Sequence, residues 1–268
     1  MIGAVIGDIV GSVYEFHNLR SVDFPFFSPE GFFTDDSVMT VAVARALLLH
    51  RQTGADFASA CEEQMLSLGR AYPDAGYGGS FRLWLAGVIK GPYNSFGNGS
   101  AMRVSPCADL ADSLEQALSY AECSAAVTHN HPEGIRGAKA TALAAYLAKT
   151  GASKADIQRA IADSYYTIDF TLDDIRASYR FNETCQGSVP QALAAFFEST
   201  DFENAIRLAV SIGGDSDTIA AITGAIAWPY YKMHDPDFEK TTLPLAQKAF
   251  RYLPPDWLPV IYQVDGLR

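Results

Sequence analysis

Two short acidic clusters hold the side chains best suited to chemistry in this chain. One is Thr34-Asp35-Asp36; the other, far downstream, is Asp215-Ser216-Asp217-Thr218, preceded by Gly213-Gly214. Each stands before a run with helical spacing of apolar residues, Ser37–His50 in the first case and Ile219–Tyr231 in the second. At a helix start the first backbone amides have no intrahelical partner and the chain is still turning. Adjacent Asp and Thr oxygens can then converge on one point. Carboxylates gathered from two distant segments would repel each other unless cations held them together. An oxygen-only set suits a hard divalent ion, Mg²⁺ before Ca²⁺ or Mn²⁺, and not Zn²⁺. The competing reading is capping, because Asp and Thr are common N-caps and complement the helix dipole. One cluster alone would be read as a cap. Two of the same kind bring metal binding in beside it.

Other positions could serve such a site. Gly3, Gly7 and Gly11 recur every four residues near the start, and Glu15 continues their face. Glycine weakens a helix by about 1 kcal/mol relative to alanine. Three on one stripe therefore predict close backbone approach to a neighbouring helix, with a carboxylate at its end. From Glu15 to Asp35 the chain is rich in phenylalanine (Phe24, Phe26, Phe27, Phe32, Phe33), which fits either a lid or a loop pinned to the core. The segment Tyr93 to Arg103 contains Phe96-Gly97-Asn98-Gly99-Ser100, whose small residues would let backbone amides approach a ligand. It has neither Walker A nor dinucleotide-fingerprint spacing, and a turn-rich connector is the alternative. His129 and His131 stand two apart before Pro132 with no soft ligand nearby, which reads as a helix end rather than a metal pair.

The elements that must position these residues read as helices throughout. The spacing predicts Ser37–His50, Ala55–Ala71, Ser80–Lys90, Ser113–Val127, Glu133–Lys149, Lys154–Tyr165, Val189–Glu198, Phe202–Ser211, Thr218–Tyr231 and Leu243–Tyr252, after a first glycine-striped helix. Asp112-x-x-Glu115 and Thr200-x-x-Glu203 look like capping boxes. No stretch alternates convincingly as a strand. With 49% hydrophobic residues in 268 and no linker, the expectation is one compact all-α domain over residues 1–268. The net charge of −11 without a basic run argues against general nucleic-acid or membrane binding. Four dispersed cysteines form neither a disulfide framework nor a zinc motif. Met1–Val13 lacks a basic start and carries Asp8, so it reads as neither signal peptide nor membrane span; a cytoplasmic monomer is expected.

Taken in order, these segments resemble the ADP-ribosylglycohydrolase family as far as about Trp228. The resemblance rests on Gly7-Asp8-x-x-Gly11-x-x-x-Glu15-Phe16, Thr34-Asp35-Asp36-Ser37-x-Met39, Gly97-Asn98-Gly99-Ser100-x-Met102-Arg103, Thr128-His129-x-His131-Pro132 and Gly213-Gly214-Asp215-Ser216-Asp217-Thr218. Val13 stands where relatives often have Pro, and Ser37 and Ser216 where they often have Thr; none of these removes a ligand oxygen. The resemblance implies a compact multi-helix fold with two Mg²⁺ ions, Mn²⁺ being a possible substitute. It makes Thr34, Asp35, Asp36, Asp215, Asp217 and Thr218 the metal ligands. Phe96, Gly97, Asn98, Gly99, Ser100, Met102 and His129 would line the ADP-ribose pocket, with Tyr93, Phe96 and Tyr179 as candidates to stack on adenine. Glu15 becomes the candidate acid/base, Asp36 the group that polarises the nucleophile, and Asp8 a structural carboxylate. The implied reaction is cleavage of ADP-ribose from a protein side chain, nucleobase or small molecule. A metal-dependent phosphate or pyrophosphate hydrolase and a non-catalytic ADP-ribose-binding protein are the rival readings.

Overall fold

The computed structural model describes residues 1–267. Helices follow one another as α1 (Ile2–Gly11), α2 (Asp35–Thr53), α3 (Phe57–Ala71), α4 (Gly79–Leu85), α5 (Gly99–Met102) and α6 (Ser105–Asp109). They continue as α7 (Leu114–Ala126), α8 (Pro132–Lys149), α9 (Lys154–Ser164), α10 (Leu172–Arg176) and α11 (Cys185–Glu198). The last are α12 (Phe202–Ser211), α13 (Ser216–His234), α14 (Phe238–Thr241), α15 (Leu243–Ala249) and α16 (Leu258–Asp265). Among the described residues the only β pairing is a single antiparallel bridge, Gly97 with Thr184.

The glycine stripe organises the centre of the molecule. α1 and α13 are both almost wholly buried and lie against each other. A methyl group on Gly3 would strike the carbonyl of Gly224, one on Gly7 the backbone of Ala220, and one on Gly11 the backbone of Asp217. Only glycine lets the two backbones come this close, so the helix weakness of those residues is offset by packing. Around this pair one apolar cluster runs from Ile2, Ile6 and Ile9 through Met39, Met65 and Phe196 to Trp257.

Helix ends differ from the sequence reading in ways that have local causes. The two expected capping boxes are displaced by one residue: Ser113 accepts from the Gln116 amide and Asp201 from the Asn204 amide. The capping box that does form is at Thr171 and Asp174, at the start of α10. α4 stops at Leu85 because the chain turns through Gly87 at φ 73°. α11 begins at Cys185, four residues before the expected start, and tolerates Pro190 inside its early turns. The short helices α5, α6, α10, α14 and α16 were not expected; too few residues fall in each for a periodicity to show.

The connection from Glu15 to Asp35 is pinned. Phe24 and Phe26 are buried, and Tyr14 packs edge-on against Phe24. The Asn18 side chain accepts from the Gly214 amide at 2.8 Å and donates to the Gly214 carbonyl at 3.1 Å. The Arg20 guanidinium donates to the carbonyls of Ile212, Arg176 and Tyr179. No helix among the described residues is long and apolar enough to cross a membrane.

Candidate active site

The close approach of α1 and α13 sets two helix starts beside each other. Thr34 caps α2, with its hydroxyl accepting from the Asp36 amide, and Asp215 stands at the start of α13. Gly213 and Gly214, both at positive φ (65° and 77°), turn the chain sharply before Asp215. A side-chain cap forms at the first cluster only; Asp215 holds the N-cap position of α13 without making a capping bond.

Asp36 and Asp217 form the floor. Both are buried, and Oδ1 of each has no hydrogen-bond partner among the described residues. The Thr218 hydroxyl donates to Asp36 Oδ2 at 3.0 Å, joining the two clusters. Carboxylate oxygens of Asp8, Asp36 and Asp217 lie within 4.8 Å of one another, as do those of Glu15, Asp215 and Asp217. Burial and then repulsion from Asp217 and Asp8 hold the Asp36 carboxyl well above its usual range. Asp217 is raised by burial and by Asp215 and Asp8, and Asp35 by burial and by Asp217 and Asp8. Asp35 stands apart from the two close groups and faces Gly76, where a Cβ would come 3.3 Å from its Oδ1.

Asp8 is near the floor and differs in kind. It accepts from the Thr34 amide at 2.9 Å, the Ser37 amide at 3.0 Å, the Thr34 hydroxyl at 2.7 Å and the Ser37 hydroxyl. Proximity alone would make it a ligand. Its donors engage both oxygens, so it braces the start of α2, which is the structural role expected for it. Burial raises its carboxyl to about 6 in spite of those bonds. Glu15, half-buried just beyond the end of α1, is pushed to about 8 by burial and then by Asp217 and Asp8.

The opposite wall belongs to the glycine-rich segment. The Asn98 side-chain amide donates to Asp215 Oδ2 at 2.7 Å and to the Ser188 hydroxyl at 2.9 Å, tying wall to floor. The Asn98 amide donates to the Glu183 carbonyl and the Cys185 amide to the Phe96 carbonyl. Between floor and wall lies a cleft of about 430 Å³. It is lined by Glu15, Thr34, Asp35, Asp36, Asp215, Asp217 and Thr218 on one side, and by Phe96, Gly97, Asn98, Gly99, Met102 and His129 on the other.

Two expectations need correction. Ser100 is fully buried and its hydroxyl donates to the Gly134 carbonyl at 2.7 Å, so its side chain locks the turn and does not line the cleft. Tyr179 packs beneath Gly214 and donates to the Gly187 carbonyl at 2.6 Å, which takes it out of the cleft as a stacking candidate; Tyr93 and Phe96 remain in its lining. The histidine segment splits: His131 caps α8, while His129 is buried against the glycine turn. Sequence reasoning missed Phe81, Phe181 and Glu183, which also line the cleft. Phe181 and Glu183 arrive there through the Gly97–Thr184 bridge, which leaves no local pattern.

Residues 1–233 match the family model described as ADP-ribosylglycohydrolase. The chain is 26% identical to the ADP-ribosylhydrolase ARH3 of Mus musculus, over 86% of this chain and 82% of that one. It is 27% identical to the ADP-ribosyl-[dinitrogen reductase] glycohydrolase of Rhodospirillum rubrum, over 87% and 85%. A solved structure described as an ADP-ribosylglycohydrolase-related protein complex has the same fold, with a TM-score of 0.64 at 24% identity, covering 94% of this chain and 96% of that one.

Proposed function

The chain belongs to the ADP-ribosylglycohydrolase family, and from that premise we propose that it hydrolyses the bond between the anomeric carbon of ADP-ribose and an acceptor, with two Mg²⁺ ions at the acidic floor and Mn²⁺ able to replace them. The observation that carries the reading is the pair of buried, partnerless oxygens, Asp36 Oδ1 and Asp217 Oδ1, facing one cleft. A buried carboxylate without a donor or counter-charge is costly. Neither residue has an ion-pair partner among the described residues. Hard cations would satisfy both oxygens. Asp36, Asp217, Asp215, Asp35, Thr34 and Thr218 would hold them, an all-oxygen set of the kind Mg²⁺ prefers. Such ions would neutralise the floor, orient sugar hydroxyls and lower the pKa of a bound water.

The protein's own groups divide the remaining work. Cleavage of a glycosidic bond builds positive charge at the anomeric carbon, which a carboxylate-lined floor stabilises. Glu15, whose carboxyl is pushed to about 8 by burial and then by Asp217 and Asp8 before any cation binds, would carry the proton. It can pass that proton to the departing acceptor atom and take one back from water. Asp36 would polarise the attacking oxygen. Asn98 fixes Asp215, and the turn through Gly99 lets a ligand approach the backbone.

The test is release of free ADP-ribose from arginine-, serine- and nucleobase-linked substrates, in Mg²⁺ and in EDTA. Release that EDTA abolishes supports the reading and names the acceptor. AMP as the product would instead make this a pyrophosphate hydrolase, and ADP-ribose binding without turnover of any substrate would make it a binding protein.

A further inference from the structure

We infer that Arg103 and Thr128 are positioning residues that hold His129 as the neutral ring protonated at Nε2, so that a fixed hydrogen-bond donor faces the cleft above the Gly97–Gly99 turn. The geometry of the free protein carries this. Its consequence for ligand binding rests on the function proposed above.

Arg103 follows α5 and is 1% exposed. No carboxylate pairs with it among the described residues. Its Nη2 donates to the Ser124 carbonyl at 2.9 Å and to the Thr128 hydroxyl oxygen at 2.9 Å. Guanidinium only donates, so Thr128 Oγ1 must accept there. That same oxygen lies 2.7 Å from His129 Nδ1. A hydroxyl polarised by a charged donor is a better donor itself, and the Thr128 proton then has Nδ1 as its acceptor. The cation also sits on the Nδ1 side of the ring, where it favours a lone pair over an N–H. Burial and Arg103 together press the His129 pKa well below its ordinary value, so the ring is neutral and its one proton is on Nε2.

The far side of the ring completes the device. Nε2 lies 3.1 Å from where a Cβ on Gly99 would stand and 3.5 Å from that of Gly97. The glycines leave the N–H open to the cleft, which His129 lines. A donor of this kind suits a phosphate or hydroxyl oxygen, and it stays a donor across the pH range in which a free histidine titrates. The competing arrangement sends the Thr128 proton to the nearby Tyr93 hydroxyl and places the ring proton on Nδ1.

The experiment is long-range ¹H–¹⁵N correlation of the full chain labelled with ¹⁵N-histidine, the His129 signals being assigned by their loss in His129→Gln. The expected pattern is an unprotonated Nδ1 and a protonated Nε2, unchanged from about pH 5.5 to about pH 8.5, a range that spans the ordinary histidine pKa. Thr128→Ser should keep that pattern. Thr128→Val should release the ring into a mixture of tautomers and weaken ADP-ribose binding about fivefold to tenfold, the worth of roughly one hydrogen bond. A charged ring, or a proton on Nδ1, in the unmodified protein overturns the inference without any variant. A pure Nε2 tautomer surviving in Thr128→Val removes Thr128 from it. If the tautomer is as expected but ADP-ribose does not bind, the proposed function fails and the lock stands.

Discussion

The two walls of the cleft are built on opposite principles. The floor gathers Asp36, Asp217, Asp215 and Asp35 at helix starts, with buried oxygens left over and every carboxyl raised, first by burial and then by nearby carboxylates. The wall is a turn of small residues in which the buried polar groups Asn98, Ser100, Thr128 and His129 have partners inside the protein. One side is electrostatically incomplete; the other is tied into the protein's own hydrogen bonds and leaves the His129 Nε2 proton for a ligand. The difference teaches that damage to the floor should show as a dependence on cations and pH, whereas damage to the wall should show as a loss of affinity insensitive to both.

The harshest way to break this comparison is Asp217→Ala. It removes the carboxylate shared by both close groups. Activity should fall about a thousandfold or more, the scale on which preorganised electrostatic stabilisation acts, and titration calorimetry should show Mg²⁺ affinity lost with it. Normal Mg²⁺ binding in this variant would remove Asp217 from the metal site.

Glu15→Gln probes the floor at its edge. The amide keeps the shape and removes the transferable proton, so kcat should drop by about 10²–10⁴, the usual worth of a general acid or base, with ADP-ribose affinity retained. If affinity is lost while turnover at saturation is normal, Glu15 holds substrate and does not move protons.

Gly7→Ala tests what brings the floor together. The added methyl meets the backbone of Ala220, and backbone cannot rotate away as a side chain can. A destabilisation of about 1–3 kcal/mol is expected from overpacking, read as a lower denaturant midpoint, with Mg²⁺ affinity weakened because α1 and α13 are forced apart. Unchanged affinity at reduced stability would mean that the floor does not depend on this spacing.

How much of this was legible beforehand follows from range. The glycine stripe and the acidic helix starts are local patterns, and each could be read from residues no more than about four apart; the structural part of Asp8 could be anticipated without its partners, because Thr34 and Ser37 lie far along the chain. The all-α class follows from period alone. What Ser100 and Tyr179 do was not readable, because a hydroxyl's partner can be a carbonyl far along the chain: Gly134 for one and Gly187 for the other. Phe181 and Glu183 enter the cleft only through a bridge between two irregular segments. The Arg103–Thr128–His129 chain is half legible. Two of its members are adjacent, and the third arrives by folding.

The smallest expected effect separates floor from wall by stability alone. A carboxyl whose folded pKa lies above its unfolded value binds more protons in the folded state between the two values. Its stabilisation is complete below the unfolded pKa and is lost as pH rises through the folded one. Asp8 and Asp215 at about 6, Glu15 at about 8, and Asp35, Asp36 and Asp217, each raised well above the usual carboxylate range, all have this sign. His129 has the opposite sign, since its lowered pKa makes folding more favourable as pH rises toward the ordinary histidine value of about 6.5. Above about pH 7 that contribution is spent; burial presses Lys154 to about 8, which opposes the fall, while Asp109 and Asp265 raise the Met1 amine in spite of its burial, which adds to it, so the floor's share is the part of the slope that Mg²⁺ removes. In EDTA the Tm should therefore fall by a few degrees between about pH 7 and about pH 8.5, on the usual scale of a few degrees per kcal/mol. Saturating Mg²⁺, binding the folded state and favouring ionised carboxylates, should flatten or reverse the fall. The same slope with and without Mg²⁺ would mean that the raised carboxylates are not where the ion binds, and the contrast between the two walls would lose its chemical basis.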